Sequence, residues 1–376
     1  VHLLVIGHVV HKLHDGVYFA YGPYVREMNL WFRHVDAVTV VAPVDHNLPP
    51  DPIDLPYMHP SLNLVEVSEF SIQSPAEILR TLGKLPGIWS KTWKEMRKAD
   101  HIHLRCPGNM GLLGAIVQVF FPHKIKSAKY AGNWDRNSNQ PFTYRLQQKI
   151  LSNTSLSKNM QVLVYGEWPN ESQNIRPFFT ASYSEFEKEE CPPRPLDPDK
   201  EIRLLFVGGL NSGKQPVISA QVVARLISEG KNVKLDYFGE GPERETIESF
   251  VAENKLKHAI TIHGNVPANT VKEAFKKSHF LIFISKSEGW PKVVAEAMFW
   301  ACLPITTAVS CVPQMLGFGT RGELVNENEE EVCAAIHRYL DQPESYAAKA
   351  TAAMEWSRQY TLERFDREIQ TLLQTT

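Results

Sequence analysis

The chain has 376 residues, of which 43% are hydrophobic and 22% charged, with a formal net charge of -2 at pH 7. That length fits two domains of ordinary size, and the apolar share excludes a largely disordered chain. Apolar runs such as Gly111–Phe121 fall short of the roughly 20 residues a spanning helix needs, and near-neutrality speaks against a dedicated nucleic-acid binder.

Val1–Ile6 reads as an apolar strand without a basic leader. The five cysteines, Cys106, Cys191, Cys302, Cys311 and Cys333, form no CxxC pair and read as buried thiols of a reducing compartment. The expectation is a soluble, cytoplasmic protein.

In chain order, Leu3–Ile6 is a strand, a helix follows from about Pro23, and Ala37–Ala42 is the next strand. Ala99–Leu104 and Lys129–Ala131 continue that sheet. Residues 1–195 carry 20 Lys+Arg against 18 Asp+Glu, and residues 196–376 carry 20 against 24, so neither half is a charged tail. The stretch Cys191–Glu201 holds four prolines, which fix φ and remove amide donors, and it reads as a linker. The second half alternates short apolar strands, Ile202–Val207, Val233–Phe238, Ile260–His263 and His279–Ser285, with helical segments. This pattern implies βαβ units and a parallel sheet covered on both faces. The expected fold class is α/β, with two doubly wound domains and a ligand cleft at the carboxyl edges of their sheets.

The most informative stretch is Ser287–Ile305. Glu288 and Glu296 stand eight residues apart, with Gly289, Trp290, Pro291, Lys292 and Val293 between them. Pro291 suits a first helical position, so the new helix directs free amides and its positive dipole end at the cleft. Two carboxylates framing an anion site suit a ligand with hydroxyls on either side of a diphosphate, as in a nucleotide sugar. A second signal is Leu205–Lys214, a strand running into Gly208, Gly209 and then Lys214, whose ammonium suits phosphate oxygens.

Together these residues resemble the family 4 retaining glycosyltransferases of the GT-B fold. Glu288–Glu296 matches the family's E-x7-E motif, Ala301–Ile305 its small/Pro segment, and Phe206–Lys214 its phosphate loop. The resemblance implies two Rossmann-like domains facing each other across a cleft: an acceptor domain at 1–195, a donor domain at 196–355, and a last helix at 356–376 crossing back. It implies that Lys214 holds the donor diphosphate, that Glu288 reaches the transferred sugar, and that Glu296 takes the ribose hydroxyls. The amides of Trp290 to Val293 would meet phosphate, with Gly289 beside them, and Gly16 would approach it from the first domain. Gly209 stands where the family usually has Arg, and Lys292 is the candidate replacement for that charge. Ala131–Asp135 stands where a strand would deliver a cleft histidine. Asn133 or Asp135, or else His103 or Arg105, are the candidates for that role, with His14 and Trp134 also placed on the acceptor side.

The implied activity is transfer of a sugar, with retention, from a nucleotide-diphosphate-sugar such as a UDP- or GDP-sugar to a glycan or lipid-linked glycan. This is hexosyltransferase-like chemistry of polysaccharide or glycoconjugate biosynthesis. No cofactor, metal or nucleic acid is implied, and Asp197-Pro-Asp199 reads as a decoy inside the proline stretch. A nucleotide-sugar 2-epimerase and a non-catalytic nucleotide-sugar-binding protein are the alternatives. An NAD dehydrogenase is disfavoured because no GxGxxG follows the first strand. The HxxHxxH spacing of His8, His11 and His14 reads as a polar loop before it reads as a metal site. The basic, aromatic stretch Leu82–Asp100 reads as a surface helix packed on its own sheet, with peripheral contact to the inner membrane face as the other option. Lys124–Lys149, with Tyr130, Trp134, Phe142 and Tyr144 interspersed, reads as a second basic surface, for acceptor binding or contact with anionic lipid in preference to nucleic acid.

Overall fold

The computed structural model describes residues 1–70 and 83–374. The chain divides into two compact units, one formed by Val1–Phe178 together with Phe365 onward, the other by Phe179–Arg364. The first division falls ahead of the proline stretch that the sequence marks as a linker. That stretch is strapped to the second unit. The Arg194 guanidinium donates to the carbonyls of Trp300 at 2.8 Å, of Lys276 at 3.1 Å, and of Ala301, while the Cys191 thiol donates to the Trp300 carbonyl at 3.4 Å. Proline has no amide to donate to a sheet ladder, but a neighbouring arginine can still fasten a proline-rich stretch.

Unit 1 contains β1 (His2–Ile6), β2 (His11–His14), β3 (Val17–Tyr21), α1 (Gly22–Phe32), β4 (Ala37–Asp45), β5 (Asp54–Pro56), β6 (Leu62–Val67), α2 (Leu85–Lys98), β7 (His101–Cys106), α3 (Asn109–Val117), β8 (Ile125–Tyr130), α4 (Phe142–Leu151), β9 (Met160–Tyr165) and β10 (Ile175–Phe178). The strand order is β10-β9-β8-β7-β1-β4-β2-β3-β5, with β6 also on β4. β1 pairs in parallel with both β4 and β7, so the order reverses between β1 and β7. Leu3, Leu4, Val5 and Ile6 are fully buried, as a central strand covered on both faces requires.

Two expectations change here. The segment around Gly16, read as a cleft loop, is a β2–β3 hairpin in which His14 faces Val17. Its two turn residues, Asp15 at φ 50° and Gly16 at φ 77°, give the doubly left-handed turn that matches strand twist, and Asp-Gly is the pair that tolerates it. The Lys124–Lys149 stretch is only partly a basic surface. Lys126 and Lys129 lie on β8 and are buried. Lys126 donates to the Phe121 carbonyl at 2.8 Å, and Lys129 bonds the Glu27 carboxylate at 2.9 Å. Arg105 reaches the same Glu27 oxygen, giving a buried triad of one carboxylate and two cations. Helix α2 turns Ile88 and Met96 into the core of unit 1 and leaves its lysines outside.

Unit 2 contains β11 (Ile202–Val207), α5 (Pro216–Ser228), β12 (Val233–Phe238), α6 (Arg244–Glu253), β13 (Ile260–Ile262), α7 (Ala268–Lys277), β14 (Phe280–Phe283), α8 (Lys292–Phe299), β15 (Leu303–Thr307), α9 (Val312–Met315), β16 (Glu323–Val325), α10 (Glu329–Asp341) and α11 (Pro343–Ser357). The order β13-β12-β11-β14-β15-β16, all parallel, is the doubly wound arrangement with its reversal between β11 and β14. A last helix, α12 (Leu362–Gln374), begins in unit 2 and continues in unit 1. No helix among the described residues is long and apolar enough to cross a membrane.

Candidate functional site

The reversal between β11 and β14 opens a crevice at the carboxyl ends of these strands, the place where open α/β sheets bind ligands. Two loops line it. The first leaves β11 at Gly208, whose φ of 147° and open surroundings leave its backbone approachable. Its amide donates to the Phe238 carbonyl at 2.9 Å, and the Leu210 amide donates to the Glu240 carbonyl at 2.9 Å. A Cβ on the facing Gly239 would lie 2.0 Å from the Gly208 carbonyl oxygen, so only glycine lets the two loops cross so closely. Gly209 follows Gly208, and then the Asn211 side-chain oxygen accepts the amides of Gly213 and Lys214 at 3.0 and 3.2 Å. That bracket presents the Lys214 side chain just before Pro216 opens α5.

The second loop runs from Ser285 to Pro291. The Lys286 amide donates to the Gly213 carbonyl at 2.9 Å, and the Ser285 amide donates to the Thr307 hydroxyl at 3.0 Å. The two loops are therefore stitched together by backbone before any side chain joins. Glu288 then completes the site. Its carboxylate is ion-paired to the Lys214 ammonium and accepts the Ser285 hydroxyl. The Lys214 ammonium also sits 4.8 Å from the Phe283 ring centroid. Residues 74 positions apart in sequence thus form one constellation.

Gly289 is held through its carbonyl, which accepts the Ser310 hydroxyl at 3.2 Å and the Cys311 thiol at 3.3 Å. Burial pushes the Cys311 thiol up to about 12, so it acts as a neutral donor and not as a nucleophile. The Trp290 ring packs beside Trp356 and Tyr360, with centroids 6.3 and 5.8 Å away. Pro291 caps the helix one position earlier than the sequence suggests, and Lys292 is the first helical residue. The Val294 amide donates to the Pro291 carbonyl at 3.0 Å, while the Lys292 and Val293 amides precede the first i→i−4 bond of α8 and carry the positive end of its dipole. Glu296 lies one turn into α8, half-buried, and accepts the Ser182 hydroxyl. Burial raises its pKa, opposed by the Ser182 bond and the Lys292 charge.

Lys214, Glu288, Gly208, Gly209 and residues 289–296 therefore come together in unit 2. The candidates from the first half do not converge with one another. Gly16 is an exposed hairpin tip, and His14 is exposed with its ring 3.4 Å from the Asp15 carboxylate. The His103 ring is fully buried on β7, bonded to the Ser127 hydroxyl at 2.8 Å and packed on Trp31 at 4.2 Å. Burial and the Arg105 charge keep that ring neutral, and it has no surface to offer a substrate. Arg105 is spent on Glu27. Trp134 is buried against Tyr130 at 4.9 Å and donates to Glu171 at 3.1 Å. Asn133 and Asp135 share a tight turn in which the Asn133 side chain accepts the Asp135 amide at 2.9 Å.

Sequence reasoning singled out neither Ser285 nor Ser182, whose hydroxyls fasten the two glutamates. It also passed over His8 in favour of His103. His8 lies two residues beyond β1 and lines a concavity at the carboxyl edge of unit 1, and its pKa is lowered by burial and by Arg105. Its place in the loop that leaves the first central strand was the available signal.

Comparison with known proteins adds to this geometry. Over nearly its whole length the chain is similar to a sucrose-phosphate synthase from Thermosynechococcus elongatus, with TM-score 0.69 and 16% identity, covering 99% of this chain and 98% of that one. It is equally similar to HepE from Anabaena, solved in complex with UDP and glucose, with TM-score 0.69 and 12% identity, covering 100% and 99%. The fold is GT-B, built from two Rossmann-like units. Residues 187–356, which contain the whole Lys214–Glu288–Glu296 arrangement, match the family model described as Glycosyl transferases group 1. Among curated relatives, the GPI3 subunit of phosphatidylinositol N-acetylglucosaminyltransferase from Saccharomyces cerevisiae (strain YJM789) is 22% identical over 135 residues, 34% of this chain and 30% of that protein. The match thus spans under a third of that relative's length.

Proposed function

We propose that this protein is a retaining glycosyltransferase that takes a sugar from a nucleotide-diphosphate-sugar donor and passes it to a glycan or lipid-linked glycan acceptor. The observation that carries the reading is the Lys214–Glu288 pair at the switch point of unit 2, beside the free amides of α8. A departing diphosphate needs fixed positive charge where its own charge develops. Lys214 and the α8 amino end supply it, and Lys292 adds a second cation at the first helical position. An incoming diphosphate competes with Glu288 for the Lys214 ammonium. Once released, Glu288 is free to accept hydroxyls of the transferred sugar, while Glu296 accepts those of the ribose. The anomeric bond to the diphosphate then breaks through an oxocarbenium-like state, the acceptor hydroxyl oxygen bonds that carbon, and its proton passes to the departing phosphate oxygen.

A thermal-shift screen with UDP-, GDP- and ADP-sugars tests the reading. One donor class is expected to raise the midpoint progressively with concentration above its Kd. Lys214→Ala is expected to lose that shift and to lower turnover by about 10²–10³-fold, the usual effect of removing one transition-state charge partner. Acceptor-stimulated release of nucleotide, with the product anomer assigned by NMR, decides transfer and retention. No shift with any donor refutes the reading.

A further inference from the structure

The backbone beside Lys214 departs from ordinary geometry at one residue. Gln215 caps α5 with φ 46° and ψ 50°, in the left-handed region that suits glycine and is costly for a residue with a Cβ. Pro216 follows it, and a residue before proline is pushed toward extended backbone, so the conformation is disfavoured on two counts. The side chain does not compensate. It makes no capping hydrogen bond to α5, and its buried amide oxygen meets no hydrogen-bond partner among the described residues. Such a conformation persists only where the surrounding structure enforces it.

The enforcing contacts come from the loops that build the site. Before Lys214, the Gly213 carbonyl accepts the Lys286 amide at 2.9 Å and the Ser285 hydroxyl at 3.3 Å. After it, the Pro216 carbonyl accepts the Tyr237 hydroxyl at 2.7 Å. The amides of Lys214 and Gln215 both donate to the Asn211 carbonyl, at 3.0 and 3.2 Å. Between the fastened residues 213 and 216 only Lys214 and Gln215 can change the direction of the chain. The chain has to enter α5 while the Lys214 side chain goes to Glu288, and the left-handed step at Gln215 supplies that turn.

We propose that Gln215 is a positioning residue of the donor site, whose left-handed backbone aims the Lys214 ammonium at the diphosphate. Its side chain matters only through its tolerance of that conformation. This rests on the transferase reading, since it assigns a role at the site of that reaction. Substitutions should then rank by backbone preference: glycine adopts the left-handed region freely, asparagine tolerates it, alanine resists it, and β-branched valine is excluded from it.

Calorimetric titration with UDP-, GDP- and ADP-glucose, beside an NMR titration with the matching nucleoside, tests it. Gln215→Gly and Gln215→Asn are expected to bind the donor within about twofold of wild type. Gln215→Val is expected to bind it about tenfold or more weakly, as when one charge-assisted contact is removed. Gln215→Ala is expected to fall between them, and it keeps the ranking readable if Gln215→Val does not fold. The nucleoside carries no phosphate and is expected to bind wild type and every folded variant alike, which a general disruption of the loop would not allow. Equal donor affinity across Gln215→Gly, Gln215→Ala and Gln215→Val overturns the assignment. So does a loss in Gln215→Gly as large as in Gln215→Val, or a parallel loss of nucleoside binding. Any of these with donor binding intact in wild type removes the role of Gln215 alone, whereas a wild type that binds no donor removes the transferase reading and this role with it.

Discussion

A half-buried carboxylate such as Glu296 is held against its own hydration, and the Ser182 hydroxyl offsets only part of that cost. Its raised pKa means that the folded state binds the proton more tightly than the unfolded state. The stabilising contribution is therefore fully present below the unfolded carboxyl value and is lost as pH rises through the folded one. Glu296→Gln is expected to melt with wild type near about pH 4 and a few degrees above it at neutral pH, where only the glutamate is charged. Melting curves across that range check the sign, and equal curves at neutral pH refute it. Lys292 is tested separately, because Gly209 leaves the phosphate loop without a second cation. Lys292→Ala is expected to weaken nucleotide affinity about tenfold, within the range of a charge-assisted hydrogen bond, and unchanged affinity sinks the assignment. Glu288 and Glu296 stand out in the sequence by their spacing around Gly289 and Pro291, and Lys214 by its place after a Gly-rich turn. Ser182 and Ser285 do not, because serine is ordinary everywhere and only the folded loops show which hydroxyl meets which carboxylate.

At the scale of elements, β8 shows how a strand can hide charge. Its sequence, Ile125–Tyr130, carries Lys126 and Lys129, and a reading by composition puts both at the surface. The fold puts β8 between β7 and β9, and Lys129 is accepted there because Glu27 on α1 reaches it together with Arg105. The rings of Tyr165, Phe178 and Phe365 stand 5.0–5.8 Å from the Lys129 ammonium and add cation–π attraction. Glu27→Gln would leave two buried cations sharing no carboxylate, and the expected loss is about 3–5 kcal/mol in a denaturant unfolding experiment. A loss below about 1 kcal/mol would show that the two cations find other partners. The partners of this triad come from three elements far apart in sequence, so no local pattern announces it. The β2–β3 hairpin is the opposite case. Asp15-Gly16 is a strong local turn signal, but the surrounding histidines drew the reading toward a loop.

At the scale of the molecule, β11 to β14 of unit 2 were readable because buried parallel strands are short continuous apolar runs, whereas the Pro304-bearing β15 and the short β16 were not assigned. Unit 1 was harder. Its central strands include His101, His103, Arg105, Lys126 and Lys129, and polar residues on buried strands blur the hydrophobic period. Unit 1 is also discontinuous, since α12 buries Phe365, Ile369, Leu372 and Leu373 within it and bonds Arg176 through Glu368 at 2.7 Å and His34 through Asp366 at 3.0 Å. A fragment ending at Phe178 is expected to expose the surface that α12 covers, to bind a hydrophobic dye, and to unfold with reduced cooperativity. Addition of a peptide spanning 362–374 is expected to restore protection of its amides from exchange. A fragment as cooperative alone as with the peptide would deny α12 that role.

Helix α12 also bears on the order of events during synthesis. Domains of a growing chain generally fold as they emerge, the amino-terminal one first. Here unit 1, made before unit 2, waits for a helix translated after most of unit 2. Lys129, with Phe365 as one wall of its surroundings, would remain partly wet until then. The nascent chain therefore carries an open seam on unit 1 throughout the synthesis of unit 2, and the seam closes only once α12 has been made.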